Sequence, residues 1–383
     1  VRGWFRKLLK KFGHPNNLIM KNRIITFGEI MGRFCPAGYN RFIQSMPGRL
    51  DLSFAGAEAN VAASLALFGA PAIFVSALPT NVLGDACIQT LRGIGVDTSR
   101  ILRTPHGRLG LYFVEKGANQ RPSNVVYDRE GSAIATTPAD QFDWKAIFAD
   151  AGWLHVSGIT PALSQIAFES TLAAVRAAKA AGATVSCDLN FRKKLWQWEA
   201  GTKSTALARR CLTQILPHVD VVIANEEDAS DVLGIQAEGS DIHGGHLAID
   251  RYPQVAKEIA RQFPNVSKIA ITLRESVSAS HNNWGAMFYD VAADQVHFAP
   301  ESGGHYAPYE IRNIVDRVGG GDSFAAGLVF ALNTPELASA ATAVRFAVAA
   351  SCLAHSIEGD FNITSRAEVE ALMGGNASGR VVR

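Results

Sequence analysis

The sequence has no Cys-x-x-Cys pair. Its five cysteines, Cys35, Cys87, Cys187, Cys211 and Cys352, are odd in number and widely spread. That pattern argues against a disulfide or zinc framework and fits reduced thiols in a core. Long apolar runs are also missing: the Ala-rich stretch near 337–354 is interrupted by Arg345, and no segment reads as a membrane span. Excess charge is scarce. Seven of the 37 Lys and Arg fall in residues 1–23, where there is no acid, so over the remainder 30 basic residues face 35 acidic ones. A slightly acidic body excludes the basic stripe of a nucleic-acid surface. The expectation is a soluble, cytoplasmic protein, with residues 1–23 a disordered or artefactual basic leader that lacks a secretory h-region.

What is present is enough apolar sequence for a large core: 48% of 383 residues are hydrophobic and 19% charged. From residue 24 onward, short β-rich runs alternate with amphipathic or Ala-rich helices, which predicts a mostly parallel sheet covered on both faces. The expected strands are Ile24–Phe27, Ala72–Ser76, Trp153–Ser157, Thr184–Asp188, Val221–Ala224 and Lys268–Thr272. Helices are expected over Ala57–Phe68 and Gln165–Ala181, with a hairpin over Gly285–Asp290 and Gln295–Phe298. Residues 32–54 and 108–137 break the rhythm. In the second, Leu111–Val114 and Asn124–Tyr127 read as strands with no helix promptly following, so the two insertions are expected to form a small antiparallel lid. The fold class is α/β, a Rossmann-like three-layer core over 24–31, 55–107 and 138–383, plus that β lid.

The strongest local signal is Asp316-Arg317-Val318-Gly319-Gly320-Gly321-Asp322-Ser323-Phe324, running into an apolar helix expected over Phe324–Leu332. Three glycines before a helix leave N–H groups able to approach an anion, and the helix dipole adds positive potential. An Asp beside such a hole repels phosphate, but it makes sense as a base for an attacking hydroxyl. Taken alone, the run also reads as a flexible loop with an Asp N-cap.

The chain resembles the ribokinase-like (phosphofructokinase B) carbohydrate kinases over about residues 24–365. Their signature Asp-Thr-x-Gly-Ala-Gly-Asp-x-Phe is matched at Asp316–Phe324, with Arg317 for Thr and Gly320 for Ala. The resemblance implies that Asp322 is the catalytic base, that Gly319, Gly320 and Gly321 hold the transferring phosphoryl group, and that Asp316 lies near a monovalent-cation (potassium) site. Ala55-Gly56-Ala57-Glu58-Ala59-Asn60 matches the sugar-side Gly-Gly-x-x-x-Asn motif except at Ala55, which would be strained if it needed a positive φ. This implies sugar contacts from Gly56 and Asn60. Asn225-Glu226-Glu227-Asp228 stands where the family has Asn-x-x-Glu, implying that Asn225 serves the nucleotide and Asp228 a water-bound magnesium ion. Thr272-Leu273-Arg274 stands where a family loop approaches the phosphates of ATP, and His355 falls beside the nucleotide pocket.

Within the family, Gly28–Met31, Arg121–Ser123 with Tyr127–Arg129, Asp188–Arg192 and His355–Phe361 resemble the 2-keto-3-deoxygluconate kinases. The substrate expected is therefore a sugar acid phosphorylated by ATP on its terminal primary hydroxyl. Two arginines at the meeting of lid and core, Arg129 and Arg192, suit a carboxylate, and Tyr127 shares the face of Arg129. The alternatives are a fructokinase-like kinase of a neutral ketohexose and a non-catalytic sugar-acid sensor. An oxidoreductase is disfavoured because Gly28-Glu29-Ile30-Met31 replaces Gly-x-Gly-x-x-Gly after the first strand. His243 and His246 read as solvated turn residues rather than metal ligands, and an exposed lid sheet invites a homodimer.

Overall fold

The computed structural model describes residues 23–225, 227–235 and 249–376. The basic leader up to residue 22, Glu226, and the loop holding His243 and His246 lie outside the described residues. Strands β1 (Arg23–Phe27), β2 (Met31–Cys35), β3 (Asp51–Ala55), β4 (Ala72–Pro79), β5 (Ile101–Thr104), β6 (Gly110–Glu115), β7 (Asn124–Asp128), β8 (Ala151–Ser157), β9 (Thr184–Asp188), β10 (Val221–Ala224), β11 (Lys268–Ser278), β12 (His281–Asp290) and β13 (Gln295–Ala299) carry the architecture. The main sheet runs β13-β12-β11-β10-β9-β8-β1-β4-β5, with Tyr309–Arg312 also pairing β12. Pairing is parallel from β5 to β11 and antiparallel at β12 and β13.

The central strands read as unbroken apolar runs because both faces are covered. Side chains alternate between the faces with period two. Val222 packs with Val156, Val185 and the helices Gln165–Ala180, Ser204–Ile215 and Tyr252–Gln262. Its neighbours Val221 and Ile223 point the other way, into the layer built by Ala57–Leu67, Gly320–Leu332 and Ala340–Ala354.

The two insertions pair into a four-stranded sheet, β3-β2-β6-β7. Its outer pairs are antiparallel, but the central β2–β6 pair that joins the insertions is parallel, correcting the expectation of antiparallel pairing throughout. Between β2 and β6 the chain passes through β4 and β5 of the core, and a crossover of that length permits parallel pairing. Residues 133–136, read with the lid, form a short helix whose Ala133 and Ile134 pack into the main core. The stretch 272–276, expected as a loop, continues β11 and pairs with β12.

Candidate active site

Strands β9, β10 and β11 and the small sheet converge on one cavity of about 360 Å³, at the carboxyl ends of parallel strands where open α/β sheets place their ligands. Gly319 caps the Gly320–Leu332 helix with φ +84. A Cβ there would stand 2.4 Å from the Asp360 carbonyl oxygen, so both the left-handed turn and the close approach require glycine. The helix begins four residues earlier than expected. Its first hydrogen bond is donated by the Ser323 N–H to the Gly319 carbonyl at 2.8 Å. The N–H groups of Gly320, Gly321 and Asp322 therefore precede the ladder and, with the helix dipole, form a positive end at the cavity.

Asp322 sits in the first turn, with its carboxyl on the same cavity. Asn60 Nδ2 donates to Asp322 Oδ2 at 2.6 Å, while Asn60 Oδ1 accepts the Gly56 N–H at 3.2 Å. The second bond fixes the orientation of the amide, so the nitrogen must face Asp322. Burial pushes the Asp322 carboxyl up to about 6, against the Asn60 hydrogen bond and the charge of Arg192, which favour ionisation. Gly56 is needed for space rather than for φ: a Cβ would lie 2.0 Å from the Glu29 carbonyl oxygen. Ala55 is an ordinary β3 residue outside the left-handed region, so the strain envisaged for it does not arise.

Tyr127, Arg129 and Arg192 all line the cavity, but the two arginines differ. Arg129 is buried, and its Nε and Nη2 both reach Glu29 Oε2 at 2.6 Å. That edge is engaged by the protein's own Glu29 carboxylate, and Arg129 lies over the Tyr127 ring, 5.6 Å from its centroid. Arg192 is exposed to the cavity and makes no salt bridge among the described residues; its Nη1 donates to the Phe191 carbonyl at 3.3 Å.

Asn225 follows β10, and its Oδ1 accepts the N–H groups of Glu227 (2.8 Å) and Asp228 (2.9 Å). The buried Asp228 returns two contacts, accepting the Phe191 N–H at 3.0 Å and the Asn225 N–H at 3.1 Å. Asp188, at the end of β9, is held well above the usual carboxylate range by burial and by the charges of Asp228 and Asp322. Among the described residues no three His, Cys, Asp or Glu side chains are grouped to chelate an ion directly. Two crowded acids on one cavity wall do fit a hydrated divalent cation, which would relieve their repulsion through its water shell. Asp316 does not fit a bare monovalent ion: its carboxylate is bonded to buried Arg33, Nη2–Oδ2 2.5 Å.

Thr272, Arg274 and His355 line the same cavity, and a Cβ on Gly320 would stand 3.0 Å from the His355 ring. The His355 Nδ1 lies 2.8 Å from the Ser351 carbonyl, and its ring is 5.3 Å from that of Trp284. Sequence reasoning missed two further residues. Arg317 lines the cavity, its Nη2 donating to the Ser278 carbonyl and Asn282 Oδ1. Burial and the neighbouring Arg274 charge lower its pKa, as expected of cations gathered for an anion. The signal was available, since Arg317 is one of the two departures from the signature. Asn190, held at φ +36, lines the same cavity and has a buried Oδ1 with no hydrogen-bond partner among the described residues. Only the Asp188–Arg192 resemblance hinted at it.

Residues 21–364 match the model of the pfkB family carbohydrate kinases. The chain belongs to that family. It is 30% identical to the 2-dehydro-3-deoxygalactonokinase of Haloferax volcanii over 360 residues, 94% of this chain and 99% of the relative. The crystal structure of the 2-dehydro-3-deoxygluconokinase of Thermotoga maritima is 43% identical and superposes with a TM-score of 0.82, covering 92% of this chain and 99% of that one. A fructokinase with bound ATP from Xylella fastidiosa, 22% identical, shares the fold with a TM-score of 0.70 over 94% of this chain and 100% of its own. The protein is thus a carbohydrate kinase, a phosphotransferase with an alcohol group as acceptor, on a ribokinase-like fold. Among the described residues no helix is long and apolar enough to cross a membrane.

Proposed function

We propose that this kinase uses ATP to phosphorylate the terminal primary hydroxyl of a sugar acid, 2-keto-3-deoxygluconate. The observation that carries the reading is Arg192, which is exposed in the same cavity as Asp322 and the glycine-capped helix start; its charge acts on Asp188, Asp228 and Asp322, but it lies within salt-bridge distance of no carboxylate among the described residues. A neutral ketohexose gives such an arginine nothing to pair with, whereas a carboxylate takes two parallel hydrogen bonds from it. The relatives named for 2-keto-3-deoxy sugar acids support the same choice.

In this reading the sugar lies between the small sheet and the core, its carboxylate on Arg192 and its far hydroxyl at Asp322. Asp322 accepts the hydroxyl proton as that oxygen forms a bond to the γ-phosphorus; the bond from phosphorus to the β,γ-bridging oxygen breaks and ADP departs. The N–H groups of Gly320, Gly321 and Asp322, with Arg274 and Arg317, stabilise the charge on the moving phosphoryl group. Asn225, Thr272 and His355 flank the nucleotide. A magnesium ion, when bound, would supply charge neutralisation of the nucleotide phosphates; Asp228 and Asp188 would hold its water shell. The small sheet closes over the cavity and keeps water from the nucleotide.

Arg192→Ala tests the substrate assignment. It is expected to lower kcat/KM for 2-keto-3-deoxygluconate by about 10- to 100-fold while changing the slow turnover of fructose by less than about threefold. Equal loss on both substrates, or none on the acid, removes the carboxylate contact.

A further inference from the structure

The small sheet delivers a buried cation to the base of the anion-binding loop. Arg33, on β2, is 2% exposed. Its Nη2 lies 2.5 Å from Asp316 Oδ2 and its Nη1 lies 3.2 Å from Asp360 Oδ1. The Gly359 N–H also donates to Asp316 Oδ2 (3.3 Å), the Val318 N–H to Asp316 Oδ1 (3.2 Å) and the Tyr112 hydroxyl to Asp360 Oδ2 (2.6 Å). Three of the four carboxylate oxygens thus accept a hydrogen bond, while Asp360 Oδ1 faces Arg33 as an ion pair without a hydrogen bond among the described residues. An alkali ion needs the opposite, a ring of acceptors directed at a vacant centre.

We propose that the Arg33 guanidinium serves as a built-in cation at Asp316, so that phosphoryl transfer by this chain does not require potassium. The proposal rests on the kinase reading above and adds a positioning residue to it. Asp316 lies three residues before Gly319, and the Asp360 carbonyl oxygen lies where a Cβ on Gly319 would collide with it. Arg33 therefore ties together both chain segments that shape the glycine turn, and it does so from the sheet that covers the sugar. Burial pushes the Asp360 carboxyl up to about 7 against the charge of Arg33. One guanidinium consequently comes close to balancing the pair of acids.

The test compares wild type, Arg33→Lys and Arg33→Met in potassium, sodium and choline chloride at equal ionic strength, by initial rates and by melting temperature without nucleotide. Wild-type rates are expected to agree within about twofold across the salts, and the wild-type melting temperature to be indifferent to the cation. Arg33→Met is expected to raise KM for ATP about tenfold or more, because two buried acids lose their counter-charge. Potassium or guanidinium ion should restore part of that loss, and potassium should raise the melting temperature of this variant more than choline does. Arg33→Lys, which keeps the charge but not the fork, should fall between the two. If Arg33→Met does not fold, the Arg33→Met/Asp316→Asn pair removes the acid as well, and it should fold and show no potassium response.

A severalfold potassium activation or a potassium-specific melting shift of the wild type would overturn the proposal, as would a wild-type KM for ATP in Arg33→Met. Absence of phosphorylation in every salt would remove the kinase reading instead, and the melting data would still decide the cation question.

Discussion

Asp322→Asn is expected to lower kcat by about 10²–10⁴-fold while sugar-acid affinity, measured by calorimetry, stays within about threefold. The exchange is nearly isosteric, so the loss isolates proton acceptance. Asn60 donates to Asp322 Oδ2, and Oδ1 accepts no hydrogen bond among the described residues, so in the proposed reaction Oδ1 would receive the substrate hydroxyl. With its carboxyl pushed up to about 6 by burial, Asp322 is mostly ionised at neutral pH and basic enough to take a proton. Below that value it carries the proton already, so kcat/KM should fall about tenfold per pH unit on the acid side. Asn60→Ala removes a donor that favours the ionised form, so the acid limb should move to higher pH. A limb that stays in place would show that Asn60 does not set the basicity of Asp322.

The second large effect concerns the turn rather than the base. Gly319→Ala is expected to cost about 1–3 kcal/mol for a side chain held at positive φ, with a further loss of about 1–3 kcal/mol from overlap with the Asp360 carbonyl. Denaturant unfolding reads the sum. The same change should weaken ATP binding, because relief of the overlap moves the N–H groups that follow. Gly321→Ala is the control. Gly321 has no left-handed φ, and a Cβ added there would meet nothing within 4 Å, so stability should stay within about 0.5 kcal/mol. A rise in KM for ATP in this variant would then report close passage of the phosphates over Gly321. Equal destabilisation by both changes would contradict the geometry assigned to Gly319.

Much of the core was legible because buried parallel strands leave a simple trace: Thr184–Asp188 and Val221–Ala224 have the bounds read from their apolar runs. The parallel β2–β6 pair was not legible, because no local pattern in Met31–Cys35 reports which distant strand it meets. The continuation of β11 through Arg274 and Glu275 was hidden by its polar, half-exposed residues. In the site, the glycine run and Asp322 announced themselves through residue type. The partners of the charged residues did not. Glu29 pairs with Arg129 from 100 residues away, and Arg33 pairs with Asp316 from 283 residues away. Pairing between residues so distant in sequence depends on the fold, which one sequence does not expose.

The decisive measurement is steady-state phosphorylation by ATP of 2-keto-3-deoxygluconate and of fructose by the unaltered protein, side by side, with the product identified by mass. An acid-binding cavity requires kcat/KM for the sugar acid to exceed that for fructose by at least about 10²-fold, the size of a lost charged hydrogen-bond pair. Fructose turned over as well as the acid, or no ATP consumed with either, would contradict the assignment of this cavity to a sugar-acid kinase.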